Sequence, residues 1–383
     1  MRIGIGASLL SYPRAQKGGL GSYMRNLLAA LPEAANGHQL TVYWGREGHE
    51  LAPRLGLAGR GLRHHYSRLP LRRRPLRLPY EQLALPLAAR EDRVRVFHFL
   101  DHVSSLIPPA PRVVVTIHDI MTLLFPETFG KYRAAYKTLM TRVSVLAAAR
   151  VIAISEATKR DLVEKMGVRP EKIRVVHYGL NPSFKPVCDP AAKAAAREKY
   201  GLPERFLIYV GTLEPRKNTE RIIESYAIAR QRYGITAPLV LAGQKGWLYE
   251  RTLVLPTELG IEGQVRFTGY VDPADLPALY SQCEAFVFPT LYEGFGLPPL
   301  EAMACGAPVV ASNVSAMPEV IQEAGLLVNP YDCDAIAAAI HRVTTDQPLR
   351  ARLAEAGLRR ARAFSWQRAA RETVAVYEET AGC

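Results

Sequence analysis

The chain has 383 residues, 48% hydrophobic and 22% charged, a globular composition on a chain too long for one usual core. No apolar run reaches the length of a membrane span, and Met1 to Ala7 lacks the long apolar stretch of a signal peptide. Five scattered cysteines (Cys188, Cys283, Cys305, Cys333 and Cys383) have no metal-ligand spacing and read as reduced thiols of a cytoplasmic protein.

The first predicted strand, Arg2 to Ala7, leads to a loop holding Gly18-Gly19-Leu20-Gly21 and then a helical run, Ser22 to Leu31. Glycine-rich loops ahead of helices can cradle phosphates, and a plain turn explains the same tetrapeptide. A nicotinamide fingerprint is excluded, because Gly4-x-Gly6 lacks its third glycine and Gly18 comes too late. After the strand Gln39 to Trp44, residues 54–77 hold eight arginines and no acid, a large share of the net charge of +13. Pro70, Pro75 and Pro79 are expected to prevent one continuous helix there. Three readings of Arg54 to Arg77 stay open: an anionic membrane surface or lipid-linked acceptor, nucleic acid, and a solvated basic loop. No nucleic-acid recognition motif accompanies the arginines, so nucleic acid is not an expected partner.

Two strands follow, Val94 to His98 and Val113 to Ile117. The second runs into His118, which a parallel sheet would place at its ligand edge. Next come a strand into a helix capped by Ser155, and a strand ending near Gly179. The proline-rich stretch Pro182 to Pro190 marks the expected domain boundary, giving domains 1–184 and 185–365.

The second half restarts with the strand Arg205 to Val210 and the loop Gly211-Thr-Leu-Glu-Pro-Arg216-Lys217-Asn218. Two adjacent cations in a strand-to-helix loop are well placed for a diphosphate. Further strands end at Gly243 and at Gly269-Tyr270-Val271. The strand Ala285 to Phe288 then opens the most informative stretch of the chain, Glu293-Gly-Phe295-Gly296-Leu297-Pro-Pro-Leu-Glu301. Its glycines permit a sharp turn and Pro298 suits a first helical turn, so the amides of Phe295, Gly296 and Leu297 would face an anion. Asp332-Cys333-Asp334 precedes a helical run and reads as a helix cap rather than a metal site. The final helix, 366–383, starts at a serine cap.

The Glu-x7-Glu spacing inside EGFGLPPLEAMACGAPVVAS resembles retaining glycosyltransferases of family 4. The likeness spans essentially the whole chain, with residues 50–90 its least certain part. It implies the α/β GT-B architecture: two doubly wound parallel-sheet domains facing across a cleft, the last helix packing back on the first. It further implies that Arg216 and Lys217 neutralise the leaving nucleotide, Glu293 bonds sugar hydroxyls, Glu301 holds the ribose, and His118 lies near the transferred sugar. Gly19 and Gly21 match the acceptor-side loop beside the donor diphosphate, and Gly243, Tyr270 and Val271 match the nucleotide edge. Thr212 departs from the pattern, since many relatives carry a basic residue there.

The expected function is transfer of a hexose or deoxyhexose, mannose or rhamnose type favoured, from a nucleotide-diphospho-sugar to a glycan or polyprenyl-linked acceptor in cell-surface polysaccharide synthesis. Anomeric retention and metal independence are expected, with no resident cofactor and a GDP-sugar favoured over a UDP-sugar. The competing readings are a nucleotide-sugar epimerase and a non-catalytic carbohydrate- or membrane-surface binding protein. The expected location is cytoplasmic, with contact at the inner membrane face under one reading of the arginines.

Overall fold

The computed structural model describes residues 1–13, 16 and 18–382, and of Arg74 the backbone only; Cys383 lies outside the described residues. The chain divides into two compact units, Met1–Gly179 with Ser365–Cys383, and Leu180–Phe364.

The first unit holds β1 (Arg2–Gly6), β2 (Gln39–Trp44), β3 (Arg63–Tyr66), β4 (Val96–Phe99), β5 (Arg112–Ile117), β6 (Arg150–Ala153) and β7 (Ile173–Val175). Their order across the sheet is β3-β2-β1-β4-β5-β6-β7. The second unit holds β8 (Leu207–Val210), β9 (Leu239–Ala242), β10 (Val265–Gly269), β11 (Ala285–Phe288), β12 (Val309–Ser312) and β13 (Gly325–Val328), ordered β10-β9-β8-β11-β12-β13. Every pairing is parallel. Helices on both faces bury these strands, which is why Phe286, Val287 and Phe288 form an unbroken apolar run. The winding reverses between β1 and β4 and again between β8 and β11. Such reversals open a crevice at the carboxyl ends of the strands, where doubly wound proteins bind ligands.

Two sequence expectations change. The helix expected from Ser22 begins at Gly19, with Gly18 extended as its N-cap (φ −93°, ψ 172°), so Gly19 and Gly21 form its first turn. Residues 54–77 are not one loop: Arg63–Tyr66 joins the sheet edge as β3, with Thr41 opposite Arg63 and Trp44 opposite Tyr66. The prolines do, as expected, leave 54–77 without one continuous helix. Pro75 sits in the first turn of Arg74–Pro79, where a missing N–H is tolerated. Just after Pro79 the chain widens into a π-turn, Tyr80–Ala84, and continues as Leu85–Glu91.

The helix Trp366–Gly382 belongs to the first unit, and its start is capped by Ser365, whose Oγ accepts from the Arg368 amide at 3.2 Å. Its Tyr377 hydroxyl meets His98 Nδ1 at 2.7 Å, while His98 Nε2 meets Thr116 Oγ1 at 2.7 Å. Burial lowers the His98 pKa to about 3, so the ring is a neutral core group. Among the described residues, no helix is long and apolar enough to cross a membrane.

Candidate active site

In the second unit, the loops after β8 and β11 meet at the reversal of winding. The Leu291 amide donates to the Arg216 carbonyl at 2.9 Å, and Arg216 Nη1 donates to the Tyr292 carbonyl at 2.7 Å. Asn218 adopts a left-handed conformation (φ 61°). Its Nδ2 donates to the carbonyls of Pro289 (2.8 Å) and Pro330 (2.7 Å), tying in the loop after β13 as well. Two glycines fit by necessity. A Cβ on Gly243 would lie 1.8 Å from the Gly211 carbonyl oxygen, and Gly296 has φ +99° with Met317 Cε 2.3 Å from where a Cβ would sit.

This framework brings together three residues singled out from the sequence. Glu293 Oε1 accepts from Arg216 Nη1 at 2.9 Å and from Lys217 Nζ, and all three side chains are nearly buried. Arg216 is also paired with Glu214 Oε1 through Nη2 (2.6 Å) and Nε (3.1 Å). Burial alone would raise the Glu293 pKa, but Lys217 and Arg216 hold it below the usual carboxylate value. Burial, seconded by Arg216, lowers that of Lys217. Glu214 goes up through burial, against the pull of both cations. The Lys217 ammonium also lies 5.0 Å from the centroid of the Phe288 ring. Ser315, at φ 58°, clamps the Glu293 backbone: its hydroxyl donates to the Glu293 carbonyl and receives the Glu293 amide at 3.1 Å.

Glu301 projects from the helix Leu297–Ala304 and does not join this cluster. Burial raises its pKa to about 7. The first turn of that helix has no side-chain cap, and Pro298 and Pro299 carry no N–H. Of the expected anion donors, only Leu297 therefore lies within the helix, with Gly296 as its N-cap and Phe295 buried just before it. On the β9 and β10 edge, the Gly243 amide donates to the Gly269 carbonyl at 2.8 Å. Beyond it, Tyr270 is 44% exposed and Val271 is buried.

His118, Gly19 and Gly21 lie in the first unit. His118 Nε2 is 2.8 Å from the Leu100 carbonyl, so it carries the proton, and Nδ1 accepts from the Tyr178 hydroxyl. Burial, with His102 nearby, lowers the pKa to about 4, so the imidazole is neutral with both nitrogens engaged. Tyr23, on the helix that Gly19 and Gly21 begin, packs edge-on against this ring at 4.8 Å and stacks on Tyr178 at 4.9 Å.

At the first unit's reversal a second charged cluster gathers. Arg77 donates to Glu81 Oε1 (2.6 Å) and Asp101 Oδ2 (3.2 Å), and Glu81 also accepts from the Ser8 hydroxyl. The π-turn sets Glu81 at this position. Burial would raise the Asp101 pKa, but His102 and Arg77 bring it down to about 2. The sequence does not single out Tyr178, Ser315 or Glu214, and it marks Arg77 only as the end of the arginine-rich stretch, not as the partner of Glu81 and Asp101. Only Glu214 has a local signal, its place in the Glu-Pro-Arg-Lys-Asn loop.

Asp332 and Asp334 separate as expected of a cap. Asp332 Oδ1 accepts from the Ala335 amide at 2.9 Å, and Asp334 pairs with Arg232 at 2.6 Å. Among the described residues, no group of three or more His, Cys, Asp or Glu side chains is placed to hold a metal ion.

Comparison with known proteins gives the class. The profile of glycosyl transferases group 1 matches residues 192–360, and that of glycosyltransferase family 4 matches residues 17–184. O-antigen chain mannosyltransferase B of Escherichia coli is 31% identical over 99% of this chain and 100% of that one. The serotype-specific mannosyltransferase WbdA of E. coli is 33% identical over 67% of this chain, which spans 32% of WbdA. Sucrose-phosphate synthase from Thermosynechococcus elongatus shares the fold, with a TM-score of 0.74 at 23% identity over 99% of this chain and 98% of that one. The chain is a glycosyltransferase of family 4, built on the GT-B fold.

Proposed function

We propose that the protein is a retaining, metal-independent mannosyl- or rhamnosyl-type transferase that uses a nucleotide-diphospho-sugar, GDP-linked in preference to UDP-linked. The acceptor is a glycan or polyprenyl-linked glycan of cell-surface polysaccharide synthesis. The convergence of Arg216 and Lys217 on Glu293 at the β8–β11 reversal carries this reading. Similarity to an O-antigen mannosyltransferase over the full chain supports the sugar and the pathway.

Departure of a nucleoside diphosphate builds negative charge, which fixed cations and backbone amides stabilise without reorganising. Glu293 balances Arg216 and Lys217 in the free protein. An arriving diphosphate takes up the remaining N–H groups of Lys217, leaving Glu293 to accept from sugar hydroxyls. Glu301 receives the ribose hydroxyls, and Gly243, Tyr270 and Val271 line the base. His118 stands by the transferred sugar, and Gly19 and Gly21 open the acceptor side. A lipid-linked acceptor brings the first unit to a membrane, where Arg54, Arg60, Arg63, Arg68, Arg72 and Arg73 are exposed. Arg77 is not available, being enclosed by Glu81 and Asp101.

The test is hydrolysis of, and thermal stabilisation by, GDP-, UDP-, ADP- and dTDP-sugars in EDTA, with the product's anomeric configuration read by NMR. GDP-mannose is expected to act, with retention. An inverted product, or activity that requires added Mg²⁺ or Mn²⁺, would refute the mechanism, and preference for another base would refute the donor.

A further inference from the structure

The helix Lys131–Ala147 is apolar on two opposite sides. Its inner face buries Ala134, Met140, Thr141, Ser144 and Val145. The opposite face, which solvent would ordinarily make polar, carries Tyr132 (95% exposed), Tyr136 (49%), Leu139 (60%) and Leu146 (69%), with Val143 partly exposed between them. The spacing of four, three, four and three residues keeps all five in one narrow stripe. Lys131 and Arg142 flank it on one side and Arg133 on the other, and the helix contains no acidic residue. A neighbouring loop, tied to the helix by the Ser104 amide on Ser144 Oγ (2.8 Å), exposes Leu106 and Ile107.

We infer that this stripe is a docking surface for an anionic lipid bilayer. Tyrosines and leucines sink to headgroup depth, while lysine and arginine stems reach back to the lipid phosphates. Charge selects this occupant over a second copy of the chain, since facing stripes would set three cations against three. The arginine-rich stretch 54–77 has the charge but little of the apolar part, because Leu57, Leu62 and Leu71 point into the core. Position is consistent as well. The helix follows the loop that leaves the carboxyl end of β5 with His118, so its Tyr132 end lies at the ligand edge of the first sheet. Vesicle binding requires neither donor nor acceptor, so this inference stands or falls apart from the glycosyl-transfer reading.

The experiment compares the full chain with the variant Tyr132→Ser/Tyr136→Ser/Leu139→Ser/Leu146→Ser by flotation with phosphatidylglycerol-containing and pure phosphatidylcholine vesicles. Wild type should float with the anionic vesicles, less so in high salt, and the variant's partitioning should fall by about tenfold or more. All four sites are exposed, so thermal melting and donor hydrolysis should not change. In a separate Leu139→Trp protein, the emission band should shift to the blue on anionic vesicles. Three results would overturn the inference: wild type that ignores anionic vesicles, a serine variant that floats equally well, or a Leu139→Trp protein that floats without any shift in its emission. A wild-type dimer that the serine variant dissolves, without vesicle binding by either, would assign the stripe to a second copy instead.

Discussion

Both units bury cations against carboxylates where their winding reverses, but with opposite charge balances. Between β8 and β11, Arg216 and Lys217 meet Glu214 and Glu293, two charges of each sign, and the Lys217 ammonium has a single carboxylate partner. Between β1 and β4, Arg77 alone meets Glu81 and Asp101 and is paired with both. A diphosphate arriving at the second cluster finds a cation with N–H groups to give. At the first it would meet an excess of negative charge. On the proposed reading, the same crevice of the same fold would admit an anion in one unit and favour neutral hydroxyl-bearing partners in the other.

The largest expected effects test that contrast. Lys217→Ala should reduce turnover by about 10²-fold or more, as loss of a donor to developing charge does. Because it strips a buried carboxylate of a partner, it should also destabilise the second unit by about 3 kcal/mol. Adding Glu293→Gln should restore stability without restoring turnover, and denaturant melts beside donor-hydrolysis assays separate the two. Arg77→Met should destabilise the first unit by a similar amount, about 3 kcal/mol, by leaving Glu81 and Asp101 unpaired. Nucleoside diphosphate affinity, measured by calorimetry, should not change. A fall in that affinity would mean that the two clusters do not divide anion from hydroxyl.

The two clusters also differ in how far the sequence discloses them. Arg216, Lys217, Glu293 and Glu301 sit in short strand-to-helix loops whose glycines and prolines fix the local backbone, so their place at the sheet edge follows from nearby residues. Arg77, Glu81 and Asp101 come together through a π-turn after Pro79 and through the β4 terminus, and nothing in the local pattern announces either. The same holds for β3, where Arg63-His-His-Tyr gains its strand only from pairing with β2. His118 is legible as a strand-end residue, but its Tyr178 partner is sixty residues away in sequence. Charge misleads as well as informs: the arginines draw attention to 54–77, whereas the outward apolar stripe of Lys131–Ala147 shows only once the inward face is known.

The pH dependence of Glu301 sharpens the picture of the second unit. Its folded pKa, raised by burial from 4.5 to about 7, means that the folded state holds a proton the unfolded chain has released. In the free protein this contribution to stability is therefore present below pH 4.5 and fades as pH rises to about 7. The ionised form is the stronger acceptor for two ribose hydroxyls, so nucleotide affinity should run the other way, rising by up to about tenfold between pH 6 and pH 8. Glu301→Gln should flatten both profiles. A wild-type affinity that does not vary over that interval would remove Glu301 from the ribose site.

The smallest effect expected concerns Asp332, and its value lies in being confined to stability. The carboxylate accepts from the Ala335 amide at 2.9 Å and so satisfies one donor of the first turn of Cys333–Thr345. Loss of such a cap typically costs about 1 kcal/mol, so Asp332→Ala should lower the second unit's stability by that amount. Asp334 faces Arg232 in an exposed pair, and Asp334→Ala should change stability by less than about 0.5 kcal/mol. Neither change should alter turnover in EDTA. Were Asp332→Ala to abolish transfer while the fold melts normally, and added Mg²⁺ or Mn²⁺ to restore it in the wild type after chelation, the pair would be acting on a metal, and cations of the chain alone would no longer account for leaving-group departure.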